Sequence, residues 1–282
     1  MQKIIFPRSP GITLIILIKE VSINTLLKDV HTKYIIYDFK FIKGYNKKNY
    51  QMKIKVQGLN PNSNLVKEYK NSLKALTEVQ KEASIGLILG DASLQTQNGG
   101  KTYRIKFEWG DRNKAYINHV HELYDEWILS EPHKKERISP NNNKVINWGF
   151  QTISHEAFKY LADLFLINNK KSIPDDLINE YLTPRGLAYW FMDDGGKLDY
   201  NKGSKNKSIV LNTHSFTDIE VTKLTLELSA KLKLDCSNRQ NKNKQIIIIK
   251  SHYFDTFYEL INPNILEEMK YKLPSCVQPS AR

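Results

Sequence analysis

Two short apolar runs, each about two helical turns long, end in a carboxylate and lie about one small domain apart. The first is Ser84-Ile85-Gly86-Leu87-Ile88-Leu89-Gly90-Asp91, and the second is Leu187-Ala188-Tyr189-Trp190-Phe191-Met192-Asp193-Asp194. An unpaired carboxylate beside a core is costly, so two such helices predict a duplicated fold with paired acids at its centre. Asp194 follows Asp91 by 103 residues (194 − 91). A third element keeps nearly the same step. Lys171-Ser172-Ile173-Pro174 begins 80 residues after Asp91 (171 − 91), and Lys272-Leu273-Pro274 begins 78 after Asp194 (272 − 194). Ser154-His155 and Ser251-His252 fall between them at matching places, each ahead of an aromatic, helix-like stretch. A step of about 100 residues is too long for a solenoid repeat, which leaves two related halves in tandem.

Local patterns fill in each half. Asn60-Pro61-Asn62-Ser63 predicts a turn and an N-cap. The spacing of Leu65, Tyr69, Leu73 and Leu76 then predicts a helix over 65–80. The first acid-ended helix follows over 82–90. Alternation predicts strands over 103–109 and 145–151, with helices over 115–129 and 155–165. The second half repeats the order: a helix over 184–192 with Pro184 in its first turn, a strand over 208–212, and a helix over 217–232 with Asp218 near its positive end. A strand over 245–250 and a helix over 253–261 follow. Strand pairs alternating with helices give an α+β fold in two pseudo-symmetric halves. Gly86 and Gly90 form a smooth stripe where the second helix carries Tyr189 and Asp193. Either bulky side chains pack against that stripe, or the glycines mark a kink.

Lys and Arg number 42 against 30 Asp and Glu, a formal net charge of +12. That excess favours a polyanionic partner, most simply nucleic acid. The two cysteines, Cys236 and Cys276, make neither a disulfide framework nor a zinc site by spacing, and read as free thiols. No histidine triad, Gly-rich phosphate loop or cysteine nucleophile competes with the paired acids. The apolar run over 12–18 is shorter than the roughly 20 residues a bilayer requires. No small-residue cleavage site follows it, so a strand or short helix packed on the body is expected instead of a signal peptide. Residues 34–41 alternate as a strand would, and Lys47-Lys48-Asn49 reads as a loop. Abundant Lys, Asn and Ile fit an A/T-rich gene, as in an organellar genome.

The two runs resemble the paired signature helices of the LAGLIDADG homing endonucleases, in the single-chain, double-motif form. The resemblance covers about 58–274. It rests on the two runs, on His133-Lys134-Lys135-Glu136-Arg137 and on Asp193-Asp194-Gly195-Gly196-Lys197. Among members it is most similar to the omega-type endonuclease of the mitochondrial large-rRNA group I intron. It implies αββαββα-like halves, signature helices at their interface and a β-saddle for DNA. The chain divides accordingly into an extension of unknown role (1–57), two halves (58–182 and 183–275) and a tail (276–282).

The resemblance also implies chemistry. Asp91 and Asp194 hold divalent metal, Mg2+ with Mn2+ able to substitute, helped by the main-chain carbonyls of Gly90 and Asp193. Lys171 and Lys272 stand where the family places lysines near the cut, to meet the scissile phosphate or orient the attacking water. Polar and basic residues on strands and loops read or hold DNA: Lys67, Gln95, Gln97, Lys101, Arg104, Lys106, His133, Lys134 and Lys135 in one half, and Lys202, Lys205, Lys207, Arg239, Asn241, Lys242 and Lys244 in the other. Gln95 and Gln97 stand where arginines are expected, and Leu198 where an aromatic is, which leaves the target sequence open. The implied protein is a monomeric mitochondrial enzyme that breaks both strands of a long asymmetric DNA site and leaves short 3′ overhangs, with no membrane role. Two alternatives stand beside it: an RNA-binding group I intron maturase, which needs neither carboxylate, and a DNA-binding protein without catalysis.

Overall fold

A helical stretch that is apolar on every side has to be buried on every side, and two such stretches, residues 83–89 and 186–192, meet in the middle of this fold. The computed structural model describes residues 2–7, 13–18, 47–198 and 205–274. The strand expected over 34–41, Lys202, Cys276 and the tail lie outside them. The chain divides into two compact units between Lys55 and Val56. In the first, β1 (Gln2–Pro7) and β2 (Thr13–Ile18) pair antiparallel, so the short apolar run is a strand. Helix α1 (Lys47–Val56) starts where a loop was expected. Lysine is a good helix former, and no Gly or Pro interrupts residues 45–57.

The second unit opens with α2 (Asn64–Ser72), whose N-cap is Ser63 as expected. One continuous helix over 65–80 does not form. The chain leaves the helix at Leu73, runs extended, and restarts as α3 (Glu78–Leu89). Thr77 and Gln80 close a reciprocal capping box there, 3.2 Å and 2.9 Å, which satisfies amides that a continuous helix would have used otherwise. Leu73 and Leu76 stay buried from extended backbone, whereas Leu65 is 49% exposed.

Then come β3 (Ser93–Gln95), β4 (Arg104–Gly110), α4 (Lys114–Leu123), β5 (His133–Ile138), β6 (Lys144–Gln151) and α5 (Lys159–Phe165). The helix expected over 115–129 stops at Leu123. A 3-10 turn, Asp125–Trp127, takes over and seats Trp127 in the core. Two-residue strands β7 (Leu166–Ile167) and β8 (Lys170–Lys171) and helix α6 (Leu177–Tyr181) lead to the second half. It runs α7 (Pro184–Asp194), β9 (Gly195–Lys197), β10 (Ile209–Leu211), α8 (Asp218–Leu232), β11 (Cys236–Asn241), β12 (Lys244–Ile249) and α9 (Phe254–Ile261), and ends in a 3-10 segment, Glu267–Lys272. Both series therefore read αββαββα. The sheets have matching orders, β3-β4-β6-β5 and β9-β10-β12-β11, and every neighbouring pair is antiparallel.

Alternation turns one face of each sheet inward. Ile105, Phe107 and Trp109 of β4 are buried, with Phe107 and Trp109 packed on Tyr124, Phe150 and Tyr116. Ile209, Leu211, Ile247 and Ile249 are fully buried in the second sheet. Between the sheets' helical layers, α3 and α7 touch backbone to backbone. A Cβ on Gly86 would lie 1.9 Å from the Gly186 carbonyl oxygen, and one on Gly186 would lie 3.0 Å from the Glu82 carbonyl oxygen. Gly86 thus faces a second glycine and not a bulky side chain. Tyr189 turns away and bonds the His119 ring at 2.7 Å. Arg185 donates to Glu82 across the pair at 2.8 Å.

Gly86→Ala forces backbone from backbone and is expected to destabilise by about 3 kcal/mol or more, the upper end for overpacking. Gly110→Ala meets nothing within 4 Å and is expected to stay within about 0.5 kcal/mol. Urea unfolding of both variants measures the contrast.

Candidate active site

The close contact brings the C-terminal ends of both central helices to one place. A helix C-terminus carries partial negative charge on its last carbonyls. Here two such ends meet together with Asp91, Asp193 and Asp194. The chain answers with two lysines in matching roles. Lys171, at the end of β8, donates to the carbonyls of Leu89 (3.5 Å) and Gly90 (3.0 Å). Lys272, closing the final 3-10 segment, donates to those of Met192 (2.5 Å) and Asp193 (2.7 Å). The offsets of 80 and 78 residues read from the sequence thus correspond to one structural role played twice. The Lys171 ammonium lies 5.1 Å from the centre of the Phe216 ring, and two residues on the Ile173 amide donates to Glu220 at 2.8 Å.

The two acids are held differently. Helix α7 runs through Asp194, whose carbonyl accepts from both the amide and the side chain of Asn212, 3.0 Å and 2.9 Å. Helix α3 ends one residue before Asp91, at the Gly90 cap. The Asp91 amide instead donates to Asp193 Oδ2 at 3.2 Å, and Trp109 Nε1 donates to Asp193 Oδ1 at 3.0 Å. Gly90 makes room: a Cβ there would lie 2.4 Å from Asp193 Oδ2. Asp193 therefore does fill the glycine stripe at this position.

Electrostatics follow from this crowding. Burial, then the neighbouring Asp91, raises the Asp194 carboxyl to about 7, against the pull of Lys171 and Lys272. Burial also raises Asp91, which Lys272, Lys171 and Trp109 oppose. Asp193 is raised well above the usual carboxylate range by burial and by Asp91 and Asp194. Burial lowers both lysines, while the three acids hold them up. Tyr116, fully buried beside Asp193, is raised by burial first. Among the described residues no group of three or more His, Cys, Asp or Glu is arranged to hold a metal. The oxygens gathered here are carboxylates and carbonyls. Such hard donors suit a cation that completes its shell with water and phosphate, and the mutual repulsion of Asp91 and Asp194 is what a divalent cation relieves.

Strand register sorts the remaining candidates. On the first sheet Gln95, Arg104, Lys106, His133 and Lys135 share the outward face with Glu108, Asn147 and Gln151. Arg104 donates to Gln95 at 3.2 Å, and Lys135 to Glu108 at 2.6 Å. A groove of about 320 Å³ runs between Gln95, Arg104, Lys106, Ser130, His133, Lys135, Phe150 and Gln151. Lys134 points to the other face and pairs with Glu136 at 2.5 Å. Gln97 and Lys101 lie exposed in the β3–β4 connection, and Lys67 lies exposed on α2. On the second sheet Arg239, Asn241 and Lys244 share a face with Val210, Ile246 and Ile248. Those three form a buried apolar patch with Leu198 packed on it. Lys242 sits in the β11–β12 turn with φ 55°, and its carbonyl accepts from Gln240. Lys205 is exposed, and Lys207 leans to Asp255 at 3.5 Å and to the Phe254 ring. Sequence reasoning passed over Trp109, Asn212, Asn147 and Gln151, and it took Arg137 only as part of the resemblance, although register puts it on the same face as His133 and Lys135. For Arg137 the period-two rule applied to β5 would have found it, had that polar segment been read as a strand.

A model of the LAGLIDADG DNA endonuclease family matches residues 81–257. The chain belongs to that family. LAGLIDADG relatives include the probable intron-encoded endonuclease 1 of Wickerhamomyces canadensis, 49% identical over 216 residues, 77% of this chain and 93% of that protein. Cytochrome b mRNA maturase bI2 of Debaryomyces hansenii is 31% identical over 210 residues, 72% of this chain and 76% of that one. Among solved structures, the homing endonuclease I-WcaI bound to its DNA recognition sequence superposes with a TM-score of 0.75 at 47% identity, covering 79% of this chain and 97% of that chain. The matched stretch takes in most of α3 and all of α7.

The crowding has a measurable cost without metal. The Asp194 carboxyl is raised in the folded state, so between about pH 4 and pH 7 the folded protein keeps a proton that the unfolded chain has released. Stability from this group is present below that window and falls as pH rises through it. In chelator, Asp194→Asn is expected to raise the melting temperature by several degrees at pH 8, with the gain shrinking toward pH 4. Thermal melts at both pH values measure it.

Proposed function

We propose that this LAGLIDADG protein is an intron-encoded homing endonuclease that hydrolyses both strands of a long, asymmetric DNA site and so spreads its own intron. The observation that carries this reading is the meeting of Asp91 and Asp194 at the joined ends of two central helices. On this reading residues 58–182 and 183–275 are its two halves, and it works as a monomer in the mitochondrion, as an omega-type member would. Asp91 and Asp194, with the Gly90 and Asp193 carbonyls, would hold Mg2+, with Mn2+ as a substitute. Bound there, the metal would activate water and neutralise charge on the phosphate and leaving oxygen.

The chain's own residues supply the rest. Lys171 and Lys272 keep an ammonium beside each carboxylate, where a scissile phosphate enters, and offset the charge developing on it. The duplicated acids match the two strands, one centre to each. The outward face of the first sheet offers Arg104, Lys106 and Lys135 to phosphates and base edges, with Gln95 and Gln151 as neutral readers. The second sheet offers Arg239, Asn241 and Lys244 around an apolar centre. Two unlike faces suit an asymmetric target. The maturase relative supports a second reading, in which the same basic surface holds intron RNA and neither acid is used.

Plasmid carrying an intron-free large-rRNA gene segment tests both. Linear product is expected with Mg2+ and wild type, and none with chelator or with Asp194→Asn. Uncut plasmid together with splicing help that survives Asp91→Asn and Asp194→Asn would replace the nuclease with the maturase. The face assignment has its own test. Lys106→Ala is expected to weaken DNA binding across sequences and lower the salt slope by about one, whereas Lys134→Ala leaves both unchanged. Fluorescence anisotropy over a salt series reads the difference.

A further inference from the structure

The two acids lie at equivalent places in equivalent halves, yet their backbones are held in different ways. The Asp194 main chain is part of α7, whose last hydrogen bonds run inside the helix. Asp91 is not part of α3. The Gly90 amide donates to the Gly86 carbonyl and the Ala92 amide to the Leu87 carbonyl, both at 2.9 Å. The helical pattern therefore skips the Asp91 amide. What holds that amide is the Asp193 side chain, arriving from the other half at 3.2 Å. Asp193 is itself fixed by Trp109, through the indole N–H at 3.0 Å. The reverse interaction has no counterpart, because the residue that would reach back toward Asp194 is Gly90, which has no side chain.

We infer that Asp193 and Trp109 are positioning residues for Asp91 alone, so that the two cleavage centres depend on unequal supports. The chain of contacts is Trp109 to the Asp193 carboxylate to the Asp91 amide, and it crosses from the first half to the second and back. Losing it leaves the Asp194 centre on its helix and releases the Asp91 backbone. This inference rests on the nuclease reading for its kinetic consequence and on geometry alone for its structural one.

The test uses the full-length protein and a target duplex labelled separately on each strand. Asp193→Ala removes the acceptor, Trp109→Phe removes the donor that fixes it, and Gly90→Ala displaces the carboxylate while keeping it. In each variant, single-turnover cutting of one strand is expected to slow by about ten- to a hundredfold relative to the other, the same strand each time, and nicked product accumulates. Asp193→Asn keeps one acceptor oxygen and falls between. Amide hydrogen exchange supplies a readout that needs no DNA or metal. Exchange at the Asp91 amide is expected to accelerate in these variants, while the Asn212 amide, bonded to the Asp194 carbonyl, stays protected. Equal slowing of both strands, or unchanged exchange at Asp91, overturns the inference. A wild type that cuts no target would remove the nuclease reading and leave the exchange result to decide this one.

Discussion

Everything at the site depends on two helices approaching closely enough for Gly86 to lie against the Gly186 carbonyl. Side chains normally hold helix axes 8–10 Å apart. Replacing them with hydrogen at one crossing lets backbone meet backbone, and the apolar residues around the crossing seal it. The consequence is electrical. Helices that cross this closely and end together superpose their negative ends, and the chain adds three carboxylates to the same spot.

Such an assembly is unfavourable by itself, and the fold contains it by local means. Lys171 and Lys272 each reach the last carbonyls of one central helix, so each half brings a cation to its own helix end. Both ammoniums are partly desolvated and would be uncharged more readily in isolation, while the acids keep them charged. The Asp194 carboxyl, held near neutrality on the pH scale by burial and by Asp91, keeps a standing demand for positive charge. The fold gives up stability at this cluster, a trade common where carboxylates serve a reaction.

The duplication is exact in topology and inexact in detail. Both halves follow αββαββα with matching strand orders. The first outward face is polar across its width, whereas the second has Val210, Ile246 and Ile248 at its centre with polar residues beyond. The central helices differ in the same spirit. One ends before its acid and offers a glycine, and the other runs through its acid and offers Asp193 to fill the space. A single chain can hold such differences because its halves are free to diverge, which two identical subunits could not do.

Much of this was legible in the residues. Periodicity of 3.6 or 2, the Ser63 cap, Pro184 in a first turn, and the repeated order of acid and lysine depend on neighbours in sequence, so they could be read directly. Other features depend on partners far away. The break between α2 and α3 was hidden because Leu73 and Leu76 keep their spacing whether helical or extended, and only the Thr77 capping box chose. Strand β5 was missed because His133-Lys134-Lys135-Glu136-Arg137 has no apolar alternation, and its pairing with β6 makes it a strand. By itself the sequence determined that two acid-ended apolar helices, duplicated and lysine-paired, would sit at the centre. Only the tertiary structure decided that Gly86 would meet Gly186, that Lys134 and Lys135 would face opposite ways, and that Asp193 would hold Asp91. Those outcomes turn on distances between residues up to about 100 positions apart, which no local pattern encodes.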